Sequence, residues 1–323
     1  MIILGIETSC DDTAAAVVKD GRVALSNIIA SQTDHAKFGG IVPEIASRRH
    51  IEAIDGVVTL AMREAGASFE DLSAVAVTNR PGLTGSLLIG LSYAKGLAFA
   101  IKKPLIGAHH IEAHICANYI GNGIEPPFIC LVVSGGHTNV ALATERGEYI
   151  SLGKTRDDAA GECFDKTARA LGLGYPGGPA IDALAKLGNE NAVGFPKAKV
   201  DGFDFSFSGV KSAVVNYINN HANLNKADVA ASFQKAVVDV LVEKTMAARA
   251  YAGVKKVALA GGVACNSALR AKMARECAKN GVEFNAPATE FCADNGAMVA
   301  ARAYLRLGET DDLSLNAYAN AEL

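Results

Sequence analysis

Three histidines within residues 109–114 have a spacing that could hold a metal ion. His110 and His114 are four residues apart, so on a helix both imidazoles project from one face. Glu112 would lie about 200° around the helix from His110, given ~3.6 residues per turn. The water-activating base of a zinc protease is therefore absent from the position where that chemistry needs it. By spacing alone, a histidine pair on the protein surface is an equally good interpretation.

Two histidines need a further ligand, and residues 294–296 offer one. Asp294-Asn295-Gly296 opens a run of small residues that predicts a helix. Two imidazoles and one carboxylate would leave coordination positions open for substrate, and this donor set suits Fe(II) or Zn(II). The alternative for Asp294 is a helix N-cap, and the sequence by itself does not decide between the two.

Glycine-rich turns supply a second kind of chemistry, which is nucleotide binding. In residues 134–137, two glycines without side chains would let backbone N–H groups cradle a phosphate. A second glycine turn, at residues 261–266, ends in Asn266, which could bond a ribose or base. Asp165 and Asp182 stand beside glycines and could accept bonds from ribose hydroxyls. Alone, the first turn is also typical of a hairpin and the second of a generic βα turn, while isolated residues such as Asp165 and Asp182 are more often helix caps.

The turn near the start of the chain that corresponds to residues 134–137 contains acids. Glu7, Asp11 and Asp12 lie within residues 7–13 and would repel a phosphate unless a cation lay between them. These three carboxylates are the candidates for a general base, and the sequence does not choose among them. An Asx-type turn is the structural alternative.

The elements that must position these residues occur twice along the chain. Each copy is a meander of three β-rich runs, with turns between them such as Asp20-Gly21. The predicted strands are residues 2–8, 13–19 and 22–30 in the first copy, and 128–133, 138–144 and 149–153 in the second. Each meander is followed by a strand and a helix, at residues 74–78 and 87–100, then at 256–260 and 267–279. Such self-similarity predicts a duplicated domain.

The fold class predicted from this repeat is α/β, with a duplicated architecture of the actin, Hsp70 and sugar-kinase type. Its two lobes would enclose a nucleotide-binding cleft, because ligands of such sheets bind where strands end and helices begin. The glycine- and proline-rich residues 121–127 mark the main boundary. The predicted domains are residues 1–124, residues 125–294, and a helical segment, 295–323, that returns to the first lobe.

Net charge, cysteine content and the length of apolar runs indicate which partners and which compartment to expect. The 323 residues have a net charge of −3, which is not that of a typical nucleic-acid binder, so an RNA partner would need local basic patches or a companion protein. The seven cysteines form no CxxC pair, which indicates free thiols in a reducing compartment. With neither a signal peptide nor an uninterrupted apolar run of ~18 residues, we expect a cytosolic protein without a membrane span. Candidate basic clusters are residues 48–50, Lys102 with Lys103, Lys197 with Lys199, and Arg302 with Arg306.

Together the motifs resemble one family, the tRNA N6-adenosine threonylcarbamoyltransferases (TsaD), once described as O-sialoglycoprotein endopeptidase (Gcp). The resemblance runs from residue 2 to about residue 305. The matching segments, in order, are residues 6–13, 109–114, 133–138, 161–166, 175–182, 261–266 and 294–296.

The resemblance implies transfer of threonylcarbamoyl from threonylcarbamoyl-AMP to N6 of the adenosine 3′ of the anticodon, in tRNAs that read codons beginning with A. It implies one Fe(II) or Zn(II) ion on His110, His114 and Asp294. It also implies a site for the adenylate, which ATP, ADP or AMP could also occupy. The residues implied for this site are Val133, Ser134, Gly135, Gly136, His137, Asp165, Gly178, Asp182 and Asn266. Implied partners are tRNA, TsaB-like and TsaE-like proteins, and a TsaC-type synthase that supplies the adenylate.

Three other functions fit parts of the pattern. The protein could be a metalloprotease, as the older family name says, or an ATPase or small-molecule kinase of the same architecture. A chaperone-like or scaffold protein is the non-enzymatic alternative. Dependence of the reaction on tRNA and on the adenylate would separate the transferase from all three.

Overall fold

The computed structural model describes residues 1–38, 40–121, 123–198 and 200–323, which form two compact units. The first unit contains Met1–Glu125 and Pro287–Leu323, and the second contains Pro126–Ala286. The second unit thus ends ahead of the predicted boundary at residue 294, and Asp294 belongs to the same unit as the two histidines. Asn122, in the predicted boundary, and Lys199, in a predicted basic pair, lie outside the described residues.

Among its described residues, the first unit contains one five-stranded sheet and four α-helices. Its strands are β1 (Ile2–Glu7), β2 (Asp12–Lys19), β3 (Val23–Ser31), β4 (Ala74–Arg80) and β5 (Leu105–His109). Its helices are α1 (Pro43–Ala65), α2 (Thr84–Ile101), α3 (His110–Cys116) and, from the far end of the chain, α9 (Gly296–Tyr304).

The second unit contains the other sheet and the remaining helices. Its strands are β6 (Phe128–Val133), β7 (Thr138–Ala143), β8 (Tyr149–Lys154), β9 (Lys256–Ala260) and β10 (Glu283–Asn285). Its helices are α4 (Ala160–Leu171), α5 (Gly177–Ala185), α6 (Ser208–Asn220), α7 (Lys226–Ala252) and α8 (Ser267–Lys279).

The two sheets have the same topology. Their orders are β3-β2-β1-β4-β5 and β8-β7-β6-β9-β10, and in both the first three strands are antiparallel while the last two join in parallel. This repetition confirms the duplicated α/β fold. The predicted strands also match the observed ones closely, and the predicted turn at Asp20 and Gly21 has positive φ at both residues, as a two-residue hairpin turn requires.

Alternation along β1 separates two buried layers of the first unit. Leu4 and Ile6 pack in an apolar cluster with α1 and α2, whereas Ile3 packs in a second cluster with α3 and α9. Successive strand residues point to opposite faces, so Gly5 and Glu7 belong to the same face as Ile3. The end of β1 therefore directs an acid toward the layer that contains α3.

A contact between glycines seats α9 against this face. A Cβ on Gly5 would stand 2.6 Å from the backbone nitrogen of Ala300, and one on Gly296 would stand 2.6 Å from the backbone oxygen of Gly5. No side chain fits at either position, so helix and strand approach through their backbones. This close approach fixes the start of α9, and with it Asp294, beside β1.

Two expectations from composition can be compared with the structure. All seven cysteines are thiols outside disulfides, as predicted. Among the described residues, α2 is the one helix long and apolar enough to pass a membrane-span test based on length and composition. It packs against β4 and α1 in the manner of a helix covering a sheet, and a single such helix is weak evidence for a span.

The glycine contact gives a prediction of stability. Gly5→Ala should lower the free energy of unfolding by about 1–3 kcal/mol, because the added methyl group overpacks the β1–α9 contact. Urea denaturation measures the change. The control is Gly56→Ala, on an exposed position of α1 where a Cβ meets no described atom within 4 Å; it should be neutral or stabilising. Equal effects of the two substitutions would contradict this account of the contact.

Candidate functional site

The structure brings together His110, His114 and Asp294, the three residues predicted as metal ligands. One potential ligand atom from each lies within 4.8 Å of the others. Oδ1 of Asp294 is 3.7 Å from Nε2 of His110 and 3.1 Å from Nε2 of His114. The imidazole centroids are 4.6 Å apart, with the rings edge to face. The pair therefore projects from one face of α3, as its spacing predicts.

Two helix caps place the ligands. His109 caps α3, because its Nδ1 accepts a hydrogen bond from the backbone N–H of Ile111. Asn295 caps α9: its Oδ1 accepts from the N–H of Met298, and its Nδ2 donates to the carbonyl oxygens of Phe291 and Ala293. The N-cap is thus Asn295 and not Asp294, which leaves the Asp294 carboxylate beside the histidines.

The buried polar atoms of this group fit a bound cation. Neither ring nitrogen of His114 has an aligned hydrogen-bond partner among the described residues, although its side chain is fully buried. Burial alone would lower the pKa of His110, but the carboxylates of Asp294 and Glu7 raise it to about 9. The group therefore attracts positive charge, and two imidazoles with a carboxylate are suitable donors for Fe(II) or Zn(II).

Glu112 lies outside this group and pairs with Arg302 across α3 and α9 at 2.5 Å. It is therefore held by a cation and not positioned as the base of a zinc protease. Arg302 and Arg306 were predicted as a basic cluster for RNA. Arg302 is instead engaged by Glu112, and Arg306 donates to the carbonyl oxygen of Gly107 at 2.7 Å, so both serve contacts within the first unit.

The three candidate bases have different environments. Glu7 is fully buried, and its pKa is lowered because the adjacent His110 and Thr78 outweigh the effect of burial. Asp11 and Asp12 are only partly buried. Burial and the negative charge of Asp294 raise the pKa of both, that of Asp12 to about 7. Because Glu7 is inaccessible to a substrate, it is a poor candidate for the base, and Asp11 and Asp12 remain as candidates.

His50, on α1, contacts the acidic turn at residues 7–13 and was missed by the sequence analysis. It was grouped with two arginines, yet its ring is buried, with Nδ1 2.7 Å from Oγ1 of Thr13 and Nε2 3.0 Å from the carbonyl oxygen of Cys10. It ties the acidic turn to α1. The missed signal was helical periodicity, since His50 falls on the buried face of α1 with Ala46 and Ile54.

In the second unit, glycines surround the end of β6. A Cβ on Gly161, in the first turn of α4, would stand 2.8 Å from Cα of Gly135, and one on Gly261 would stand 2.7 Å from the carbonyl carbon of Val133. Gly261 also has a φ of 85°, which favours glycine. At Gly135 and Gly136 a Cβ would meet no described atom within 4 Å. The predicted turn is thus open on one side and tightly packed on the other.

The other predicted nucleotide residues lie around the same helices. Asp165 accepts from the N–H of Gly177 at 2.7 Å, at the start of α5, and a Cβ on the adjacent Gly178 would meet no described atom within 4 Å. Asp182 accepts from the hydroxyl of Ser267 at 2.8 Å. This bond joins α5 to the start of α8.

Asn266 caps α8 and has a side-chain partner. Its Oδ1 accepts from the N–H of Leu269 at 2.9 Å, and its Nδ2 donates to Oε1 of Gln234 at 2.7 Å. Ser134 accepts at its hydroxyl from the N–H of His137. Asn266 is therefore the N-cap of α8, a role beyond the βα turn considered for it from the sequence, and its amide has one N–H left for a ligand.

Comparison with known proteins identifies the family. The sequence model described as "TsaD: tRNA N6-adenosine threonylcarbamoyltransferase" matches residues 23–301. The chain belongs to this family. A threonylcarbamoyltransferase of Clostridium perfringens is 57% identical over 332 residues, covering 100% of this chain and 98% of that protein. One of Clostridium botulinum is 57% identical over 331 residues, covering 99% and 97%.

Solved structures that share the fold of this threonylcarbamoyltransferase have low sequence identity to it. Full-length HypF, in a phosphate- and nucleotide-bound form, has a TM-score of 0.62 at 15% identity, covering 95% of this chain and 46% of that one. Component A of (R)-2-hydroxyglutaryl-CoA dehydratase from Acidaminococcus fermentans has a TM-score of 0.58 at 15% identity, covering 96% and 100%. These similarities support the actin, Hsp70 and sugar-kinase fold class.

Asp12 gives a prediction for the metal-free protein. Because its folded-state pKa is raised to about 7, its charged form is disfavoured in the fold, and stability is lost as the pH rises through that value. Asp12→Asn stays neutral and should raise the Tm by a few °C at pH 8, with little change at pH 4, as measured by calorimetry.

Asp20→Asn is the control for this experiment. Asp20 pairs with the N-terminal amine, which lowers its pKa, so its removal should not raise the Tm at pH 8. A gain for Asp12→Asn that is the same at both pH values would contradict the electrostatic cause.

Proposed function

We propose that this protein transfers threonylcarbamoyl from threonylcarbamoyl-AMP to N6 of the adenosine 3′ of the anticodon, in tRNAs that read codons beginning with A. The observation on which this rests is 57% identity over the full chain to transferases of that name. The donor set of His110, His114 and Asp294 and the glycine-lined turn after β6 are consistent with it.

The reaction is an acyl transfer with AMP as leaving group. N6 of adenosine forms a bond to the carbamoyl carbon, the bond from that carbon to the phosphate oxygen breaks, and the N6 proton passes to a base. Asp11 and Asp12 are suited to accept it, because their pKa values are raised toward the working pH. Glu7 is too deeply buried for this role.

His110, His114 and Asp294 would hold one metal ion. An Fe(II) or Zn(II) ion bound there would act as a Lewis acid that orients the adenylate and neutralises charge on the leaving phosphate. Asn295 and His109 keep the ligands in place through their caps, and the buried surroundings keep the interactions of the group strong.

The turn at Ser134, Gly135 and Gly136 would receive the phosphate of the adenylate, with Val133 and His137 at its ends. Asp165, Gly178, Asp182 and Asn266 would hold its ribose and base. What supports this is the open backbone at Gly135, Gly136 and Gly178, where a Cβ would meet no atom of the described residues within 4 Å. ATP, ADP or AMP would bind the same groups.

We also propose that the protein works in the cytoplasm with tRNA, TsaB-like and TsaE-like proteins, and a TsaC-type synthase. Family membership supports the tRNA substrate. The net charge of −3 fits a division of labour in which a companion protein or a local basic patch meets the tRNA phosphates.

The metal ligands give the test of this function. His114→Ala and Asp294→Ala should each remove most of the bound metal and lower transfer at least ~100-fold, because one of three protein ligands is lost. Metal content is measured by mass spectrometry, and transfer by nucleoside analysis of tRNA with the adenylate and companion proteins. His221→Ala, at the exposed end of α6, is the control. Full transfer by metal-free variants, or ATP turnover indifferent to tRNA, would contradict the proposal.

The glycine turn gives a prediction for nucleotide binding. Gly261→Ala should weaken AMP binding at least ~10-fold, because a Cβ at positive φ would press on Val133 and displace the end of β6. Calorimetric titration with AMP measures it. Gly209→Ala is the matched control, since a Cβ there, on α6, meets no described atom within 4 Å. Unchanged AMP affinity in Gly261→Ala would place the nucleotide elsewhere.

A further inference from the structure

The last residue of β1, Glu7, is a fully buried acid beside His110. The alternation that turns Gly5 toward α9 also turns Glu7 toward the layer that contains α3. A carboxylate buried in a core is costly unless donors satisfy it, and its position is therefore informative. Among the proposed functional residues, it is the acid least accessible to a substrate.

Three donors surround the Glu7 carboxylate. Oε1 accepts from the backbone N–H of Ser9 at 2.6 Å, and Oε2 accepts from the hydroxyl of Thr78 at 2.6 Å. Nδ1 of His110 lies 3.2 Å from the same Oε2. Because the first two contacts anchor both oxygens, the third holds the imidazole against a fixed acceptor.

The contact determines which ring nitrogen of His110 faces the other proposed ligands. A neutral imidazole has one N–H, and a carboxylate at Nδ1 selects the tautomer with the proton there. Oγ of Ser9, 3.1 Å from the same nitrogen, is a second possible acceptor. Nε2 then presents its lone pair on the side of Asp294.

We propose that Glu7 is the positioning residue of the metal site, which fixes the ring and the tautomer of His110 through Nδ1. This inference rests on the metal site proposed above. Carboxylates in this relation to a metal-bound histidine raise its basicity and orient it, and their loss typically weakens metal binding about 10–100-fold. Glu7 thus acts through His110, without touching the substrate.

The two histidines differ in whether Nδ1 has a hydrogen-bond partner among the described residues. Nδ1 of His114 is buried with no hydrogen-bond partner among the described residues, whereas Nδ1 of His110 has Glu7. Of the two histidines, His110 is therefore the one whose contribution to metal affinity should depend on a partner at Nδ1. This asymmetry predicts that a change at Glu7 acts on His110 and leaves His114 as it is.

Glu7→Gln tests the proposal with almost no change in volume. The amide has only one oxygen, while the site offers donors to both carboxylate oxygens. If that oxygen accepts from Ser9, the NH2 group faces His110 and requires Nδ1 to be an acceptor, which places the proton on Nε2. If the amide turns over, its NH2 group opposes the N–H of Ser9. The ligand form of His110 is therefore compatible only with the second arrangement, and the unfavourable contact at Ser9 then weakens metal binding.

Metal affinity is the first measurement. Zn²⁺ and Co²⁺ affinities, from competition with a chelator, should fall about 10–100-fold in Glu7→Gln, and the visible spectrum of the Co²⁺ form should change. In the Zn²⁺ form, long-range ¹H–¹⁵N spectra should show a hydrogen-bonded Nδ1 proton on His110, which the substitution shifts or removes. A purely structural role for Glu7 would not move this signal.

Glu112→Gln is the matched control. It neutralises an acid of the same helix whose partner is Arg302, so it should cost stability while the Zn²⁺ affinity and the Nδ1 signal stay as in the wild type. Thr78→Val is a second variant, in case Glu7→Gln folds poorly. It removes one donor to Oε2 and should weaken Zn²⁺ binding in the same direction, by a smaller factor.

The outcomes separate this inference from the proposed function. Wild-type Zn²⁺ affinity and an unchanged Nδ1 signal in folded Glu7→Gln would overturn the positioning role, even if His114→Ala and Asp294→Ala lose the metal. Retention of the metal by those two variants would overturn the metal site itself. Loss in all three, with the Glu112→Gln control unaffected, supports both.

Discussion

The first unit depends on a contact between backbones. Gly5 of β1 and Gly296 of α9 meet where neither can accept a Cβ, and this determines where the chain before α9 must lie. Asp294 and Asn295 come immediately before that contact. Once the helix is seated, Asn295 caps it and the Asp294 carboxylate meets the two histidines of α3. Residues that are distant in the sequence thereby place their potential ligand atoms within 4.8 Å of one another.

Electrostatics explain why this group would bind a cation. The negative charge of Asp294 raises the pKa values of Asp11 and Asp12 and opposes the lowering of that of Glu7, and the buried His110 is the basic group among them. Without a metal, the excess negative charge is relieved by protonation of His110 and Asp12. A divalent ion would relieve it more effectively, while burial, the largest cause of the raised pKa of Asp12, would remain. Ion binding and base strength are in this way linked through the same carboxylates.

The sequence predicted most of what local pattern determines. The strands of both meanders, the turn at Asp20 and the pairing of His110 with His114 follow from alternation, turn chemistry and helical spacing, so they were recovered. The roles of Asn295, Thr78 and Ser9 were not, because each depends on a partner distant in sequence. His50 was within reach, since its position repeats the spacing of the buried residues of α1, but its arginine neighbours suggested a charged surface.

The first unit is discontinuous, since α9 follows the whole of the second unit along the chain. During synthesis, Ile3, Ala16 and Val18, which pack in one cluster with α9 in the finished fold, therefore lack that helix until the ribosome has made residues 126–304. At ~5–20 residues per second that interval lasts on the order of ten seconds or more. The contiguous second unit is therefore the one that can finish folding first, although its residues come later in the chain than most of the first unit.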